Sequence, residues 1–484
     1  MLFNSLHFLV FFPVVVIIYF LLPHRFRWIL LLLSSYYFYM SWEPEYVLLI
    51  MVSTLIDYFA GLKIGETDDR VKRKKFLYAS LIVNLGLLFT FKYFNFFSDN
   101  LRAFFDLISL PVDTPTLKLL LPVGISFYTF QTMSYSIDVY RGKIKPEKHL
   151  GIFAVYVSFF PQLVAGPIER AGNLLPQFFE KKDYNFERIS GGLKLMIWGF
   201  FKKLVIADRV AVVVDQVFNN VTDYSGIPIL LAVFFFSIQV YCDFSAYSDI
   251  AIGGAKIMGY DLMTNFRRPY FSRSIAEFWR RWHISLSTWF QDYVFTPLYL
   301  ETAKMKLFHK LNPRNKHLVV FAVSIISGEA LLGLWHGAAW TYVVFGLFHG
   351  MLIALYYIFR RYWDNQYEAL KILFTYLLVT FSYIFFRANN LHDAYYLITH
   401  LFSGISLDFQ GIYLGGLGGW LGLKIALAPV VFFVIVEILE EFYNVSKIYE
   451  KSPRLVRWSG YMIVLFWILM FGMFEEKDFI YFQF

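Results

Sequence analysis

Two apolar runs with a short break between them decide the fold of this chain. Residues 318–334 read LVVFAVSIISGEALLGL, residues 341–359 read TYVVFGLFHGMLIALYYIF, and WHGAAW, Trp335–Trp340, separates them. A helix needs about 17 to 25 mostly apolar residues to cross the hydrocarbon core of a bilayer. Each run therefore predicts a membrane-spanning helix, and the break between them contains one histidine, His336.

The composition of the whole chain agrees with a membrane protein. Of 484 residues, 58% are hydrophobic and 17% are charged, and the mean hydropathy is +0.52. So little polar surface cannot cover a water-soluble globule. Similar apolar runs recur along the chain, several interrupted by Gly, Pro or charge, and they predict about ten or eleven crossings. We expect an all-α polytopic protein with a single membrane domain over residues 1–484, divided into 1–140, 141–340 and 341–484.

Basic residues predict how the helices are oriented. HRFR at 24–27 and RVKRKK at 70–75 alternate with the acidic WEPE at 42–45, and Arg360 and Arg361 end a later apolar run. The positive-inside rule places the basic loops in the cytoplasm and therefore both termini outside. The formal net charge of +8 is spread over these loops, which favours contact with anionic membrane lipids and argues against binding of nucleic acid.

The stretch FFPQLVAGPIER, residues 159–170, breaks an apolar run with Pro161, Gly166 and Pro167. Within a membrane, a broken backbone is tolerated only where protein or water satisfies the freed polar groups. The stretch predicts a re-entrant segment beside a cavity.

A second irregular stretch, residues 191–218, divides its apolar residues around Lys202 and Lys203. A helix lying partly in the inner interface would let both lysines reach the headgroups. An ordinary kinked span explains the pattern equally well.

Ionisable residues concentrate between positions 243 and 292, in a stretch that is otherwise aromatic. Charges at membrane depth are costly unless they are paired or face water, so the group predicts a polar vestibule on the inner side. The spacing would let Glu277 meet Arg281, and Arg280 meet His283, on one helical face. His283 is the member that can exchange protons near neutral pH. The group comprises Asp243, Asp249, Arg267, Arg268, Glu277, Arg280, Arg281, His283 and Asp292.

His336 is the sharpest candidate for chemistry. Gly333 and Gly337 would allow close backbone approach, and Trp335 and Trp340 could wall a narrow passage. A neutral imidazole there could take a proton from an attacking hydroxyl, although a lone helical histidine is more often structural. His349 is expected only to pack. The single cysteine, Cys242, excludes a cysteine-rich metal site, and no metal site is predicted.

Five stretches in the same order resemble the membrane-bound O-acyltransferase family, in its bacterial alginate O-acetyltransferase branch. They are LLPVGISFYTFQTMSYSIDVYRG (120–142), FFPQLVAGPIER (159–170), FWRRWHISLSTWFQDYVFTPLY (278–299), GLWHGAAWTYVVFGLFHG (333–350) and FFRANNLHDAYYL (385–397). The resemblance implies a ring of tilted helices around a thinned centre in the bacterial cytoplasmic membrane. It also implies that His336 is the catalytic residue and that His283 lines the tunnel for the acyl donor.

The reaction implied by the resemblance is acyl transfer across the membrane, with no permanently bound cofactor. Acetyl-CoA would enter from the cytoplasm, its phosphates attracted by some of Arg267, Arg268, Arg280 and Arg281. His336 would act as general base on a hydroxyl of an exported polysaccharide, such as an alginate-like polymer, cellulose or peptidoglycan. Periplasmic acetyltransferase partner proteins are implied as well. The Trp335 indole, His283 or backbone amides near Gly337 would stabilise the oxyanion.

Other functions stay open from the sequence. A distant branch of the same family transfers D-alanine toward teichoic acids, and buried histidines would also suit a proton-coupled transporter. The polar middle could instead assemble a polysaccharide export complex. One departure concerns the loop from Thr302 to His317, which lacks the Gly-rich stretch of many relatives.

Overall fold

The computed structural model describes residues 1–110, 112–404, 413–414, 417–475 and 477–482, and these are mostly helical, as predicted. A short antiparallel ladder pairs β1, Tyr413–Leu414, with β2, Leu417–Gly418. Short 3₁₀ helices lie at Pro44–Tyr46, Leu175–Phe179, Val221–Asp223, Pro269–Phe271, Lys306–Phe308 and Ile480–Phe482. The α-helices of the described residues are α1 Leu6–Leu21, α2 His24–Met40, α3 Val47–Glu66, α4 Arg70–Leu88, α5 Phe94–Leu107, α6 Ile125–Tyr140, α7 Leu150–Ser158, α8 Ala171–Leu174, α9 Phe186–Phe200, α10 Asp208–Phe218, α11 Ile227–Met258, α12 Ile275–Arg281, α13 Ile284–Phe290, α14 Thr296–Lys304, α15 Pro313–His336, α16 Trp340–Asp364, α17 Glu368–Arg387, α18 Leu391–His400, α19 Gly419–Tyr443, α20 Val445–Lys451 and α21 Arg454–Phe471.

Eight helical segments of the described chain are long and apolar enough to cross a membrane. Helices α1, α2 and α6 are shorter, at 16, 17 and 16 residues, although each occupies an apolar run that entered the predicted ten or eleven crossings. The eight segments are Pro44–Glu66, Arg70–Leu107, Ile227–Met258, Pro313–His336, Trp340–Asp364, Glu368–Arg387, Gly422–Tyr443 and Arg454–Phe471.

In the part of the chain that the structure describes, three π-helical segments join pairs of α-helices without ending them. Phe89–Tyr93 connects α4 to α5, Phe201–Ala207 connects α9 to α10, and Gln291–Phe295 connects α13 to α14. A π-helical turn shifts the faces of the helices on either side of it and is frequent near functional sites.

The contacts divide the chain into two compact units. The first contains Met1–Met196 and Ser248–Met263, and the second contains Ile197–Tyr247 and Thr264–Ile480. Helices α9 and α11 have residues in both units. The predicted organisation as a single domain stays a prediction.

A buried carboxyl group, Asp57, ties three helices of the first unit together. Its oxygens accept hydrogen bonds from Ser80 Oγ of α4 at 2.5 Å, Ser136 Oγ of α6 at 2.6 Å and Asn84 Nδ2 of α4 at 2.7 Å. Asp57 itself lies on α3 and exposes none of its surface. Because every buried polar group needs a partner, these bonds fix the packing of α3, α4 and α6.

The predicted backbone break is present in the first unit. Helix α7 ends at Ser158, and residues 159–169 are buried without forming an α-helix. The freed groups find partners, since Phe160 N donates to Ser35 Oγ at 3.0 Å and Gln131 Nε2 donates to Tyr156 O at 2.7 Å. The re-entrant position of this segment in a bilayer stays a prediction.

The predicted access of Lys202 and Lys203 to the headgroups is wrong. Both side chains are buried, because α9, the π-helical segment and α10 form one long helix whose lysines point into the second unit. Lys203 Nζ lies 2.6 Å from Asp243 Oδ1 and 3.0 Å from Asp208 Oδ1, and it donates to Asp478 O at 3.1 Å. Burial by itself would lower the pKa of Lys203, but the two carboxylates raise it above the ordinary value.

Candidate functional site

Glycines bring α15 and α16 into backbone contact. A Cβ atom built on Gly333 would collide with Tyr342 O, and one on Gly346 would collide with Glu329 O. A Cβ on Gly350 would lie 2.7 Å from the backbone of Ile326. The absence of side chains at these positions lets the two helices pack as a close antiparallel hairpin, as the sequence predicted for Gly333.

His336 is the last residue of α15, at the turn of this hairpin. Of the histidines at positions 283, 336 and 349, it alone keeps accessible surface, at 4%. Its ring centroid lies 5.0 Å from that of Trp335 and 5.3 Å from that of Phe386. Of the two tryptophans predicted to wall a passage, Trp335 is buried and Trp340 is 52% exposed, and the passage itself stays a prediction. Aromatic rings of α15 and α17 line the imidazole.

His283 joins α12 to α13 in a strained backbone conformation. Its φ and ψ angles are 42° and 54°, in the left-handed region that residues other than glycine seldom adopt. The residue exposes none of its surface. Such strain costs of order 1–3 kcal/mol and is typically found at functional positions.

Helices α12, α13 and α14 form a folded-back segment, with His283 at the turn between α12 and α13. Trp363 Nε1, at the end of α16, donates to Arg273 O at 2.7 Å, and Trp279 Nε1 donates to His349 Nδ1 at 3.2 Å. These two bonds place the segment from Arg273 to Trp279, which includes most of α12, along α16. Helix α14 returns along α15, with the rings of Phe295 and Phe321 5.9 Å apart. It ends at Lys304, within the atypical loop.

The turn places His283 beside the His336 end of α15. The centroid of the His283 ring lies 4.6 Å from that of Phe244 and 6.2 Å from that of Trp335. Burial lowers the pKa of His283 well below its ordinary value, and the proximity of His336 lowers it further. The two predicted histidines, 53 positions apart in the chain, therefore meet around Trp335, and His283 is a neutral imidazole at physiological pH.

Asn265 holds His283 in place and was not singled out from the sequence. Its Oδ1 lies 3.1 Å from His283 Nδ1, and Ser285 Oγ and Ser285 N donate to the same oxygen at 2.9 and 3.3 Å. Ile284 N donates to Asn265 O at 2.9 Å. Asn265 exposes 1% of its surface. A buried amide just before two arginines was the available signal, and asparagine alone does not specify a partner 18 positions away.

The four predicted arginines line one polar cavity of about 520 Å³, together with Glu277, Glu441 and Asn444. The predicted pair of Glu277 with Arg281 is confirmed, at 2.7 Å. Glu441, which the sequence did not single out, lies 2.7 Å from Arg281 and 2.5 Å from Arg268.

Two arginines of this cavity keep their charge available. Within the residues that the structure describes, no carboxylate lies within 4 Å of the Arg267 or Arg280 guanidinium group. Arg267 N donates to Arg281 O at 2.9 Å, so the segment that carries Asn265 also positions the cavity. Free guanidinium groups on a polar wall favour phosphate or carboxylate ligands.

Other members of the predicted vestibule lie elsewhere. Asp243 pairs with Lys203, and Asp292 is exposed on the π-helical segment between α13 and α14. The expected meeting of Arg280 with His283 on one helical face is also wrong. Helix α12 ends at Arg281, so Arg280 is exposed while His283 is buried in the following turn. Asp249 belongs to the first unit.

His349 has the structural role that the sequence favoured. Its Nδ1 accepts the indole N–H of Trp279 at 3.2 Å, and its Nε2 lies 2.8 Å from Ser382 Oγ. Because Nδ1 is an acceptor, Nε2 carries the proton and donates to the serine. Both ring nitrogens are engaged, and this histidine ties α12, α16 and α17 together.

The family profile of the membrane-bound O-acyltransferases matches residues 147–398. The chain is 39% identical over 406 residues to the probable alginate O-acetylase of Pseudomonas putida, which covers 83% of this chain and 80% of the relative. It is 34% identical over 394 residues to the peptidoglycan O-acetyltransferase of Helicobacter pylori, with coverages of 75% and 71%. With the teichoic acid D-alanyltransferase of Bacillus subtilis it shares 28% identity over 282 residues, with coverages of 56% and 69%.

Proposed function

The chain belongs to the membrane-bound O-acyltransferase family, and from this membership we propose that it transfers acetyl groups to hydroxyls of an exported polysaccharide. It is a multi-pass membrane protein and an acyltransferase. The names of its more similar relatives refer to alginate and to peptidoglycan, which supports a polysaccharide acceptor.

The observation that carries the proposal is the meeting of His336 and His283 around Trp335. His336 ends a membrane-length helix, and His283 is the strained turn between α12 and α13. Helix α15 and the turn between α12 and α13 thus bring their imidazoles together around Trp335. His336 keeps a small accessible surface. Transfer between two substrates needs such a meeting point.

In the proposed reaction, His336 acts as general base. Its imidazole takes the proton of the acceptor hydroxyl while the hydroxyl oxygen forms a bond to the carbonyl carbon of the acetyl thioester. The tetrahedral intermediate then collapses with cleavage of the C–S bond, and the leaving thiolate receives the proton from His336. The indole N–H of Trp335 is the candidate for stabilising the oxyanion, since the backbone amide of Gly337 donates to Gly333 O at 3.4 Å.

The proposed donor is acetyl-CoA, bound with its phosphates in the arginine cavity. Arg267 and Arg280 supply guanidinium groups that no carboxylate of the described residues neutralises, whereas Arg268 and Arg281 are held by Glu441. The cavity lies near the ends of α16 and α19, and the basic residues Arg360 and Arg361 near the end of α16 support a cytoplasmic location.

The proposed acceptor approaches from the opposite side of the membrane. His336 and Pro313 lie at opposite ends of α15, about 35 Å apart at the rise of an α-helix. Arg314 and Lys316 follow Pro313, which supports a cytoplasmic position for that end and an external position for the other. A periplasmic partner protein that delivers or receives the acetyl group is part of the proposal.

Transfer of D-alanine is the second candidate. The similarity to a teichoic acid D-alanyltransferase supports it, although that similarity covers 56% of this chain. A donor other than acetyl-CoA would then occupy the arginine cavity.

The experiment uses purified protein in proteoliposomes with radiolabelled acetyl-CoA and, in parallel, labelled D-alanyl carrier protein. Alginate and peptidoglycan fragments serve as acceptors, with and without a periplasmic extract. We expect label from acetyl-CoA on a polysaccharide with the wild type, and a loss of at least 100-fold in rate with His336→Ala.

His392→Ala is the matched control, because His392 is a highly exposed histidine on α18, away from the site. Equal transfer by His336→Ala and wild type, at equal amounts of folded protein, would contradict the role of His336. Label from D-alanine alone would select the second candidate.

A further inference from the structure

The hydrogen bonds around Asn265 define which nitrogen of His283 carries a proton. The two ends of an asparagine amide are often difficult to distinguish, but Ser285 N is a backbone donor and lies 3.3 Å from the side-chain atom assigned as Oδ1. A donor can face only the oxygen. The same atom therefore acts as an acceptor toward His283 Nδ1 at 3.1 Å, and Nδ1 must carry the proton.

We propose that Asn265 is a positioning residue for the acyl transfer, which holds His283 as the Nδ1–H tautomer, so that Nε2 is the hydrogen-bond acceptor of the ring. The proposal rests on the proposed function. Its chemical consequence concerns the oxyanion, because a neutral His283 in this tautomer has no N–H at Nε2 to donate to it. In this tautomer, Nε2 can act only as a hydrogen-bond acceptor.

The backbone around the pair supports a positioning role. Asn265 O also accepts from Ile284 N at 2.9 Å, and Arg267 N donates to Arg281 O at 2.9 Å. These bonds bind the segment 265–267 to the residues on both sides of His283. The strained backbone of His283, with φ 42°, is thus stabilised by hydrogen bonds to residues 265 and 267, which lie outside α12 and α13.

Among the described residues, the titratable and charged groups near His283 come from α11, α12 and α15, and they set the background for a new charge at position 265. From α15, the titratable group that faces it is His336. Arg281, on α12, is paired with Glu277 and Glu441. From α11, Asp243 adjoins Phe244 but is paired with Lys203.

Asn265→Asp tests the proposal, because aspartate keeps an oxygen toward Nδ1 and adds a negative charge. A carboxylate at this distance raises the pKa of an imidazole, so the acid limb of the kcat/KM profile should move to higher pH by about one unit. Asn265→Ala should lower kcat at least tenfold, with the acetyl-CoA KM within about threefold of wild type. Asn220→Asp, an exposed asparagine after α10, is the control and should keep the wild-type profile.

A measurement without turnover separates this proposal from the proposed function. In detergent, acidification below about pH 6.5 should lower the wild-type Tm, because the unfolded chain protonates His283 and the folded protein does not. Asn265→Asp should weaken this dependence by pairing with the imidazolium.

The outcomes are then distinct. An inactive wild type with the expected Tm profiles would overturn the proposed function and support the tautomer. An active wild type whose pH profile, kcat and Tm profile are unchanged in the Asp and Ala variants would overturn the role of Asn265 alone. If Asn265→Asp does not accumulate, the kcat of Asn265→Ala decides, and a wild-type value overturns the proposal.

Discussion

The histidines of the second unit show how the surroundings of one side chain determine its use. His349 has a partner on each ring nitrogen, whereas His336 ends its helix beside aromatic rings and keeps accessible surface. His283 is fixed at Nδ1 by an amide oxygen. His349 therefore connects helices, His336 is the candidate base, and His283 is a hydrogen-bond acceptor with a fixed orientation.

His349→Ala should affect stability more than catalysis. The substitution leaves the Trp279 indole and the Ser382 hydroxyl without their buried partner and opens a cavity, so we expect a loss of about 2 to 4 kcal/mol. Thermal unfolding in detergent measures the loss. The acetyl-transfer rate per folded molecule should stay within about threefold of wild type, and a selective loss of activity with unchanged stability would contradict the structural role.

Glu169 should make the stability of the folded protein depend on pH. Burial raises its pKa from 4.5 to about 7, while Met263 N and Asn173 Nδ2 donate to its oxygens and partly oppose the shift. Between these values the folded state binds more protons than the unfolded state, so stability falls as pH rises from about 4.5 to 7. The change is on the order of 2 kcal/mol.

Glu169→Gln checks this expectation by unfolding across that pH range. The amide does not titrate, so its curve should lack the decline seen in the wild type. Parallel curves for the two proteins would show that another group is responsible.

At the scale of elements, the site depends on how closely α15 approaches α16. Gly346→Ala places a methyl group against Glu329 O and the Ala330 backbone. We expect the helices to separate, with a loss of about 1 to 3 kcal/mol. His336 should be displaced with its helix, and acetyl transfer should fall in the same assays.

Gly328→Ala is the matched control on α15, because a Cβ there meets no atom within 4 Å. Alanine has the higher helix propensity, so stability should be unchanged or rise by up to about 1 kcal/mol. Equal effects of the two substitutions would exclude close packing as the reason for Gly346.

Sequence patterns predicted the elements better than their contacts. The runs around WHGAAW predicted α15 and α16, and Pro161 with Gly166 predicted the break after α7, because backbone rules act locally. The burial of Lys203 was not predictable in this way. Although Asp208 lies five positions away, the other two partners lie 40 and 275 positions along the chain, and local hydropathy carries no information about those two.

In the candidate site, too, local patterns were predictable from the sequence and contacts between separate elements were not. The resemblance supplied His336 and His283, and spacing within one helix supplied the pair of Glu277 with Arg281. Asn265 and Glu441 could not be found from spacing, because each acts across separate elements.

For the whole molecule, the distribution of basic residues predicts a definite orientation in the membrane. The single Cys242 is fully buried, so it should not react with a membrane-impermeant maleimide. New cysteines at Glu45 and His392 should be labelled in intact spheroplasts. Those at Lys72 and Arg361 should be labelled only after permeabilisation. The opposite pattern would place the arginine cavity on the external side and remove the cytoplasmic route for acetyl-CoA.

The buried lysine of the second unit also has a consequence for biogenesis. Asp243 Oδ2 accepts a hydrogen bond from Ile480 N at 2.7 Å, and Lys203 Nζ donates to Asp478 O. A ribosome makes residues 478–480 long after residue 203 has entered the bilayer. Until then, Lys203 lacks its bond to Asp478 O and Asp243 lacks its bond from Ile480 N. The buried polar cluster around Lys203 is therefore incomplete in the nascent chain. A chain that stops before residue 478 would leave Lys203 and Asp243 without these two partners, and we expect membrane proteases to degrade it faster than the chain that contains them.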